Sequence, residues 1–274
     1  MVLDAMSIRK QIEFDQHNKR FIGCVDLGSG PEEDSNASEV LVFMLVGLNG
    51  KWKAPVAYFL TNVLSAETQK QLLFHCLERL HELGFEVLAL TADGHATNIA
   101  MWALLGADLN PNSNAYKVSI QPVDGQQHPT YVFIDVCHVM KLLRNTLHAY
   151  SGIRSKDGIV SWELIHSLYQ AQEDAGLTLA NKLTAKHIGF SQQKMKVSLA
   201  VQVFSNSVAK ALRSMKAMGD PRFADCDATA SFIEVRYVGS ICVFSCPFKL
   251  QQPIAIRLQH AFLWNLNLNF LCSV

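Results

Sequence analysis

The feature that most constrains the fold is a short apolar strand that ends in an acidic residue and a glycine. The stretch 86–94 is mostly apolar, ends in Asp93 and Gly94, and leads directly into a predicted helix. A second short apolar segment, 1–8, carries Asp4. If these two strands are neighbours in one sheet, Asp4 and Asp93 converge on one cation. That arrangement is typical of a metal-dependent phosphoryl-transfer site.

Carboxylates are the right ligands for that chemistry. Phosphodiester cleavage and strand transfer use two divalent cations roughly 4 Å apart, and Mg²⁺ prefers hard oxygen ligands to His or Cys. A plainer interpretation is that Asp93 and Gly94 form a helix-capping turn and that Asp4 is a surface acid, because an acid before glycine is a common turn signal. The residue pattern alone leaves both interpretations open.

The order of the predicted elements indicates the fold class. The predicted strands cover 1–8, 21–27, 40–48, 86–90 and 130–135, and the stretch 52–60 either extends the third strand or re-enters the sheet. The predicted helices cover 65–84, 98–105 and 139–149, and polar loops cover 28–38 and 110–128. Three strands in a meander followed by alternating helices and strands predict an α/β protein with an RNase H-like mixed sheet flanked by helices. In that fold the first and fourth strands are neighbours, as Asp4 and Asp93 require.

The chain changes character after residue 150. Helical patterns without intervening strands cover 162–172, 175–183 and 193–218, and the Ser/Gly/Lys-containing stretch 151–158 is the expected join. We therefore expect an RNase H-like domain over 1–150, an all-helical insertion unit over 151–233, and an atypical apolar tail over 234–274.

Other polar residues admit competing interpretations. Cys137 and His138, next to Asp135, suggest a zinc site or a nucleophilic pair, but neighbours at a strand end point to opposite faces and the paired spacings of structural zinc are missing. Lys141 and Arg144 form a basic stripe with His148 on the following helix. Such a stripe is usually a solvated face, and less often a face that contacts phosphate.

Composition limits the class of protein. Lys plus Arg and Asp plus Glu number 24 each, so no basic excess indicates a nucleic-acid partner and DNA contact would need a local patch. The seven cysteines are dispersed and odd in number, and no secretory leader precedes Asp4, which favours reduced thiols inside the cell. No uninterrupted apolar run indicates a membrane span.

Several segments in order resemble one family. They are 4–10 (DAMSIRK), 21–28 (FIGCVDLG), 91–94 (TADG) with Asn98, 135–138 (DVCH) with 141–145 (KLLRN), 181–184 (NKLT) and 193–197 (QKMKV). Together they resemble the transposase of P elements and its THAP-domain relatives, over about residues 1 to 233. The order and spacing of the segments carry the resemblance, since no single motif decides it.

The resemblance implies a function. In that family an RNase H-like domain binds Mg²⁺ through an Asp-Asp-Glu triad, and a large helical insertion that binds GTP interrupts the domain before the Glu. Asp4 matches the first acid and Asp93 the second, so both are expected to be catalytic metal ligands. The resemblance further implies DNA (transposon ends) as partner, a homo-oligomer or association with full-length transposase, and a nuclear location.

The sequence departs from the family in three ways. Ala5 follows Asp4 where the family has Glu, no DNA-binding domain precedes the first strand, and none of Glu163, Glu173 or Glu234 lies where the third acid belongs. Residues 235–274 contain no Asp or Glu, so the tail cannot supply that acid.

These departures set the functional expectations. We expect a truncated, domesticated or decaying transposase-like protein that binds Mg²⁺ weakly, binds GTP weakly or not at all, and is inactive in DNA cleavage and strand transfer. The alternatives are a non-catalytic DNA-binding or regulatory protein that oligomerises with transposase and, less favoured, a cellular nuclease of the RNase H type.

Overall fold

The computed structural model describes residues 1–29, 31–48, 52–110, 113–120, 124–179 and 181–234. The strands are β1 (Val2–Ser7), β2 (Glu13–Asp15), β3 (Arg20–Ile22), β4 (Cys24–Asp26), β5 (Pro31–Asn36), β6 (Glu39–Val46), β7 (Lys53–Thr61), β8 (Ala89–Ala92), β9 (Ser119–Ile120), β10 (Thr130–Ile134), β11 (Gly152–Ser155) and β12 (Gly158–Ser161). The helices are α1 (Ala66–Glu82), α2 (Ala96–Leu104), α3 (Val136–Ala149), α4 (Trp162–Ala175), α5 (Ala185–Ile188), α6 (Val197–Val203) and α7 (Asn206–Ala217). Of the expected apolar tail, 234–274, all residues after Glu234 lie outside the described residues.

These elements form two compact units, Met1–Asp135 and Val136–Val274. The first unit contains an eight-stranded sheet in the order β5-β4-β7-β6-β1-β8-β10-β9. Strand β1 pairs antiparallel with β6 and parallel with β8, and β8 pairs parallel with β10. The predicted mixed sheet is confirmed, and so is the predicted adjacency of the first strand and the strand that leads to Asp93.

The core of the first unit follows from alternation along the strands. On β6, Leu41, Phe43 and Leu45 are buried and alternate with less buried residues, so one face of the sheet is apolar. Helices α1 and α2 cover apolar residues of this unit with side chains that include Leu73 and Trp102. The predicted start of α1 is confirmed, because the Ser65 side chain caps the helix.

Three strands of this unit, β2, β5 and β9, were not predicted from the sequence. Residues 31–36 were expected to be loop but form β5, an edge strand whose backbone pairs with β4. Residues 119–120, also expected to be loop, pair with β10. The predicted single strand 21–27 is wrong as well, because Gly23 divides it into β3, which belongs to a hairpin with β2, and β4, which belongs to the main sheet.

Gly23 has a specific steric role at this division. Its φ is +104°, and a Cβ atom there would lie 2.1 Å from the carbonyl oxygen of Gln11. Only glycine fits such a close backbone approach at positive φ. The base of the β2–β3 hairpin is therefore fixed against the chain that leaves β1.

The second unit is largely helical, but several of its elements differ from those expected. The stretch 151–158, expected to be a join, forms most of the β11–β12 hairpin. The predicted helix 175–183 is wrong, because Gly176 takes the left-handed conformation and ends α4. The Gln172 side chain then accepts hydrogen bonds from the Leu179 backbone and from Asn181 Nδ2, which holds the following segment in a non-helical path.

The predicted long helix 193–218 is also divided. Helix α6 ends at Val203, Ser205 has extended backbone with ψ 151°, and α7 starts at Asn206. Both helices contribute to one apolar core with α3 and α4, whose fully buried members include Phe204 and Phe223. The sequence-based domain limits of 1–150, 151–233 and 234–274 stay a prediction.

Candidate active site

The register of β1 and β8 determines where the two predicted metal ligands lie. Val2 on β1 is level with Thr91 on β8, and the Thr91 amide donates to the Met1 carbonyl oxygen at 2.9 Å. Two residues further along each chain are Asp4 and Asp93, so the parallel register brings the two acids level at the carboxyl-end side of the sheet. Adjacent strands lie about 4.8 Å apart.

Both acids also belong to the same face by alternation. Leu3 is buried, whereas Asp4 is exposed and stands on the opposite face of β1. On β8, Leu90 and Ala92 are buried, which puts Thr91 on the other face and Asp93 after it. A direct approach of the Asp4 and Asp93 carboxylates within about 6 Å, the spacing that a shared metal centre requires, stays a prediction.

The Asp93 carboxylate is held in place by neighbouring polar groups. Its Oδ1 accepts hydrogen bonds from the His95 amide at 3.0 Å and from Asn98 Nδ2 at 2.7 Å. Asn98 Oδ1 in turn accepts from Gln69 Nε2 at 2.6 Å, and Gln69 is only 5% exposed. Since both bonds to Asp93 go to Oδ1, Oδ2 is the oxygen better placed for a cation.

The geometry is also consistent with the plainer interpretation, in which Asp93 forms a turn before a helix. The His95 amide belongs to the residue before α2, so Asp93 does form the turn that an acid before glycine predicts, but its bond is not a side-chain cap on α2. The link from α1 through Gln69 and Asn98 goes further than such a turn requires. It fixes the carboxylate from a buried side chain, as outer-shell partners do for metal ligands. Sequence analysis missed Gln69, because a Gln on a helix carries no signal.

A third acid, Asp135, follows the next parallel strand. Ala92 is level with Ile134, and the Asp135 amide donates to the Ala92 carbonyl oxygen at 2.7 Å. Asp135 therefore comes level with Asp93 in the register. Sequence analysis considered Asp135 only beside a possible zinc site, although its place at the end of a strand was visible.

The donor set of this region suits a hard cation but is sparse. Asp4 and Asp93 offer carboxylate oxygens, the ligand type that Mg²⁺ prefers. Within the part of the chain that the structure describes, however, no group of three or more His, Cys, Asp or Glu could hold a metal ion. Binding of a divalent cation by these two acids, with water or another ligand completing its shell, stays a prediction.

The zinc alternative gains no support from the placement of Cys137 and His138. Both residues lie in the first turn of α3, about 100° apart around the helix axis. The three-ligand groups that a zinc site requires are missing among the described residues.

Two of the three residues of the basic stripe on α3 are buried and only His148 is exposed, which corrects the expectation of a solvated face. Lys141 is buried, and Arg144 is 0% exposed. The Arg144 guanidinium lies over the Phe190 ring at 4.0 Å, and its Nη2 donates to the Lys194 carbonyl oxygen at 2.5 Å. The His148 ring packs edge to face against Phe190 and Trp162.

Burial gives Arg144 unusual electrostatics. It lowers the pKa of the guanidinium from its usual value, because the charged form has lost its hydration. Stacking on Phe190 and the bond to Lys194 compensate in part. Arg144 Nη1 has no hydrogen-bond partner, and neither has buried Gln193 Oε1.

Comparison with known proteins identifies two domain families in the chain. The family model described as TNP-like, RNase H N-terminal domain matches residues 1–106. The model described as TNP-like, GTP-binding insertion domain matches residues 137–237. The first match contains Asp4 and Asp93, and the second contains the Arg144 environment.

Two curated relatives extend the likeness. Human DNA transposase THAP9 is 29% identical over 238 residues, which cover 86% of this chain and 26% of the relative. The Transposable element P transposase of Drosophila melanogaster is 29% identical over 174 residues, which cover 63% of this chain and 22% of the relative. The chain thus spans about a quarter of the length of the curated relatives that it matches.

A solved structure shows the same fold. The Drosophila P element transposase strand transfer complex superposes with a TM-score of 0.75 at 20% identity, covering 98% of this chain and 64% of that chain. This likeness confirms the RNase H-like mixed sheet followed by a helical unit. Among the helices that the structure describes, none is both long and apolar enough to cross a membrane.

Proposed function

Because this chain belongs to the TNP-like family of P-element-type transposases, we propose that it acts on DNA through Mg²⁺ bound by Asp4 and Asp93. The observation that supports this most is the parallel pairing of β1 and β8, in which Val2 lies opposite Thr91 and each of them comes two residues before one of the acids. Mg²⁺ bound there would activate the attacking oxygen and stabilise the leaving oxygen of a phosphodiester. The chain's own part is to hold Asp93 rigidly through Asn98 and Gln69.

We expect these 274 residues to bind Mg²⁺ weakly and to catalyse DNA cleavage poorly. Two acids give a low ligand charge and an ill-defined geometry, and residues 235–274 contain no Asp or Glu. Strand cleavage and strand transfer by this chain alone are therefore slow or undetectable. Asp135 is level with Asp93 but belongs to no three-ligand group among the described residues.

A metal titration tests the site directly. We expect calorimetry with Mn²⁺ to show weak binding by the unmodified chain and at least tenfold weaker binding by Asp4→Asn and Asp93→Asn, since each loses one of two charged ligands. The matched control is Asp157→Asn, an exposed acid in the second unit. Equal Mn²⁺ affinity for Asp93→Asn and the unmodified chain would exclude Asp93 as a ligand.

A nicking assay tests the reaction. We expect supercoiled plasmid to be nicked slowly or not at all with Mg²⁺, and any nicking to disappear in Asp93→Asn. Nicking that persists in Asp93→Asn would assign the activity elsewhere in the chain or to a contaminant.

The absence of a three-ligand group in the described residues favours a second candidate function. In this alternative the chain is a non-catalytic regulator in the nucleus, which binds transposon-end DNA or oligomerises with itself or with full-length transposase. DNA binding without nicking, together with co-sedimentation with transposase, would favour the regulator. Metal-dependent nicking would favour the enzyme.

We also propose that the second unit binds GTP, more weakly than complete relatives do. The match to the GTP-binding insertion domain supports this. Titration with a fluorescent GTP analogue, competed by GTP and by ATP, tests the proposal. Equal competition by both nucleotides would exclude guanine recognition.

A further inference from the structure

The β2–β3 hairpin carries two exposed aromatic rings. Phe14 and Phe21 are directly opposite each other across the hairpin and are 52% and 62% exposed. Their ring centroids are 5.2 Å apart in an edge-to-face arrangement. Exposed rings of this size are costly in water unless they serve to bind something.

The conformation of the hairpin is fixed by contacts at its base and at its tip. Gly23 fixes its base against the Gln11 carbonyl oxygen. At its tip, Asp15 Oδ1 accepts hydrogen bonds from the His17 and Asn18 amides, and Asp15 Oδ2 accepts from Asn18 Nδ2. The rings are therefore presented at a fixed place, which reduces the entropy lost on binding.

The topology places this hairpin at the same side of the sheet as the two acids. The chain leaves β1 at its carboxyl end, beyond Asp4, and enters the hairpin. It returns through Gly23 into β4. Because β1, β6, β7 and β4 alternate in direction, β4 starts at the side where β1 ends. The hairpin thus leaves and re-enters the sheet at the side of Asp4 and Asp93.

The segment that contains the hairpin favours a negatively charged partner through Arg9 and Lys10, which precede it. The hairpin itself, 13–22, has two basic and two acidic residues, and Arg20 lies opposite Asp15. The segment 9–22 contains four basic and two acidic residues, in a chain whose net charge is zero. Alternation puts Glu13 and Asp15 on the face opposite Phe14, so the aromatic face is free of hairpin carboxylates. Two copies meeting through this segment would bring like charges together, which disfavours self-association.

From this combination we infer that the Phe14–Phe21 face stacks on unpaired DNA bases at the side of the sheet where β1 and β8 end. Aromatic rings beside basic residues bind single strands, because each unpaired base offers a π face that a ring can cover. Bases inside a duplex already cover one another. The inference rests on the proposed action on DNA and assigns to the hairpin the holding of a single strand at the side of the sheet that carries Asp4 and Asp93.

The test compares the binding of fluorescent oligothymidylate and of a duplex by the full chain at fixed salt. We expect the double variant Phe14→Ala, Phe21→Ala to bind oligothymidylate at least tenfold more weakly, since stacking is worth roughly 5- to 150-fold in affinity per base. The double tyrosine variant, which keeps the rings, should bind as the unmodified chain does. The double leucine variant, which keeps apolar surface without rings, should bind as the alanine variant does.

The chain offers a matched aromatic control. Phe85 is 45% exposed, pairs edge to face with Trp52, and precedes β8 at the opposite side of the sheet from the acids. Phe85→Ala should leave oligothymidylate binding unchanged.

The remaining outcomes distinguish a failure of the stacking role from a failure of the proposed action on DNA. Unchanged oligothymidylate binding in the alanine variant, or full binding in the leucine variant, would overturn the stacking role alone. A change of sedimentation coefficient in the alanine variant with unchanged DNA affinity would assign the rings to a second copy. If the unmodified chain bound neither oligothymidylate nor duplex, the proposed DNA function would fall, and the hairpin inference with it.

Discussion

The charged residues singled out in the two units differ in how far they are buried. In the first unit, Asp4 is exposed and Asp93 is half-buried, and the bonds that hold Asp93 leave one carboxylate oxygen available. In the second unit, Arg144 is fully buried, stacked on Phe190 and bonded to the Lys194 carbonyl oxygen. The acids remain free for a ligand, whereas the arginine is part of the packing.

The degree of burial determines whether the loss of a charge affects binding or folding. A charge on the surface costs little to keep and little to remove, so its loss should affect binding. A buried charge has given up its hydration and depends on its few partners, so its loss should affect folding. Substitution of Asp4 or Asp93 should therefore reduce metal binding with little effect on stability, whereas substitution of Arg144 should reduce the stability of the second unit.

The largest expected effect is on the stability of the second unit. Arg144→Ala should lower the free energy of unfolding by about 3 kcal/mol, because the cation–π contact, the bond to Lys194 and the packing volume are all lost. Urea denaturation, with hydrogen exchange on peptides of α3 and α4, measures this. Arg154→Ala, on the exposed part of β11, is the matched control. A change below about 0.5 kcal/mol at Arg144 would remove the contrast between the units.

The next effect concerns the positioning of Asp93. Asn98→Ala should weaken Mn²⁺ binding about tenfold, since outer-shell partners typically contribute 10- to 100-fold to metal affinity. Calorimetry measures it, and Thr97→Ala, one residue earlier on α2, is the control. If Asn98→Ala binds Mn²⁺ as the unmodified chain does, the link from Gln69 only supports the turn before α2.

A smaller effect is expected on the stability of the first unit. Asp93→Asn should change the free energy of unfolding by about 1 kcal/mol or less, because the amide oxygen still accepts from the His95 amide and only the interaction of the charge with the α2 N-terminus is lost. Urea denaturation checks this. A cost near that of Arg144→Ala would make Asp93 a structural residue and would weaken the metal-site proposal.

The smallest effect is a pH dependence in the second unit. The hydrogen bond from Lys216 on α7 lowers the pKa of the Asp227 carboxyl from its usual value. A lowered pKa contributes stability above the unfolded-state value of about 4, and this contribution is lost as pH falls through the folded-state value. Melting between pH 7 and pH 2 should therefore show a slightly shallower acid limb in Asp227→Asn than in the unmodified chain or in Asp157→Asn. If the acid limb of Asp227→Asn is the same as that of the unmodified chain, the exposed Lys216–Asp227 pair contributes nothing to stability.

Sequence analysis predicted the elements that apolar periodicity defines. The strand before Asp93, the helix that starts after Ser65 and the adjacency of β1 and β8 follow from patterns of buried residues. It missed β5 and β9, since edge pairing depends on backbone groups and leaves no side-chain pattern. Helix 175–183 was predicted wrongly because helical spacing did not reveal that Gly176 would be left-handed.

The candidate site was predictable in part. The two acids stand out because each belongs to a short apolar strand. The buried state of Lys141 and Arg144 was not predictable, since a basic stripe on a helix looks the same whether it faces water or an aromatic ring. Gln69 and Asn98 meet across 29 residues, a contact that only the packing of α1 beside α2 creates.

The position of β1 in the sheet also bears on how the chain folds during synthesis. β1 is made first, yet it lies inside the sheet, with β6 on one side and β8 on the other. β6 leaves the ribosome soon after β1, but β8 follows only after α1 has been made. Until then one long side of β1 has unpaired backbone groups, a state that favours pairing with other chains. The candidate metal site is therefore among the last features of the first unit to form, and nascent chains that stop before β8 should be the ones that most need a chaperone.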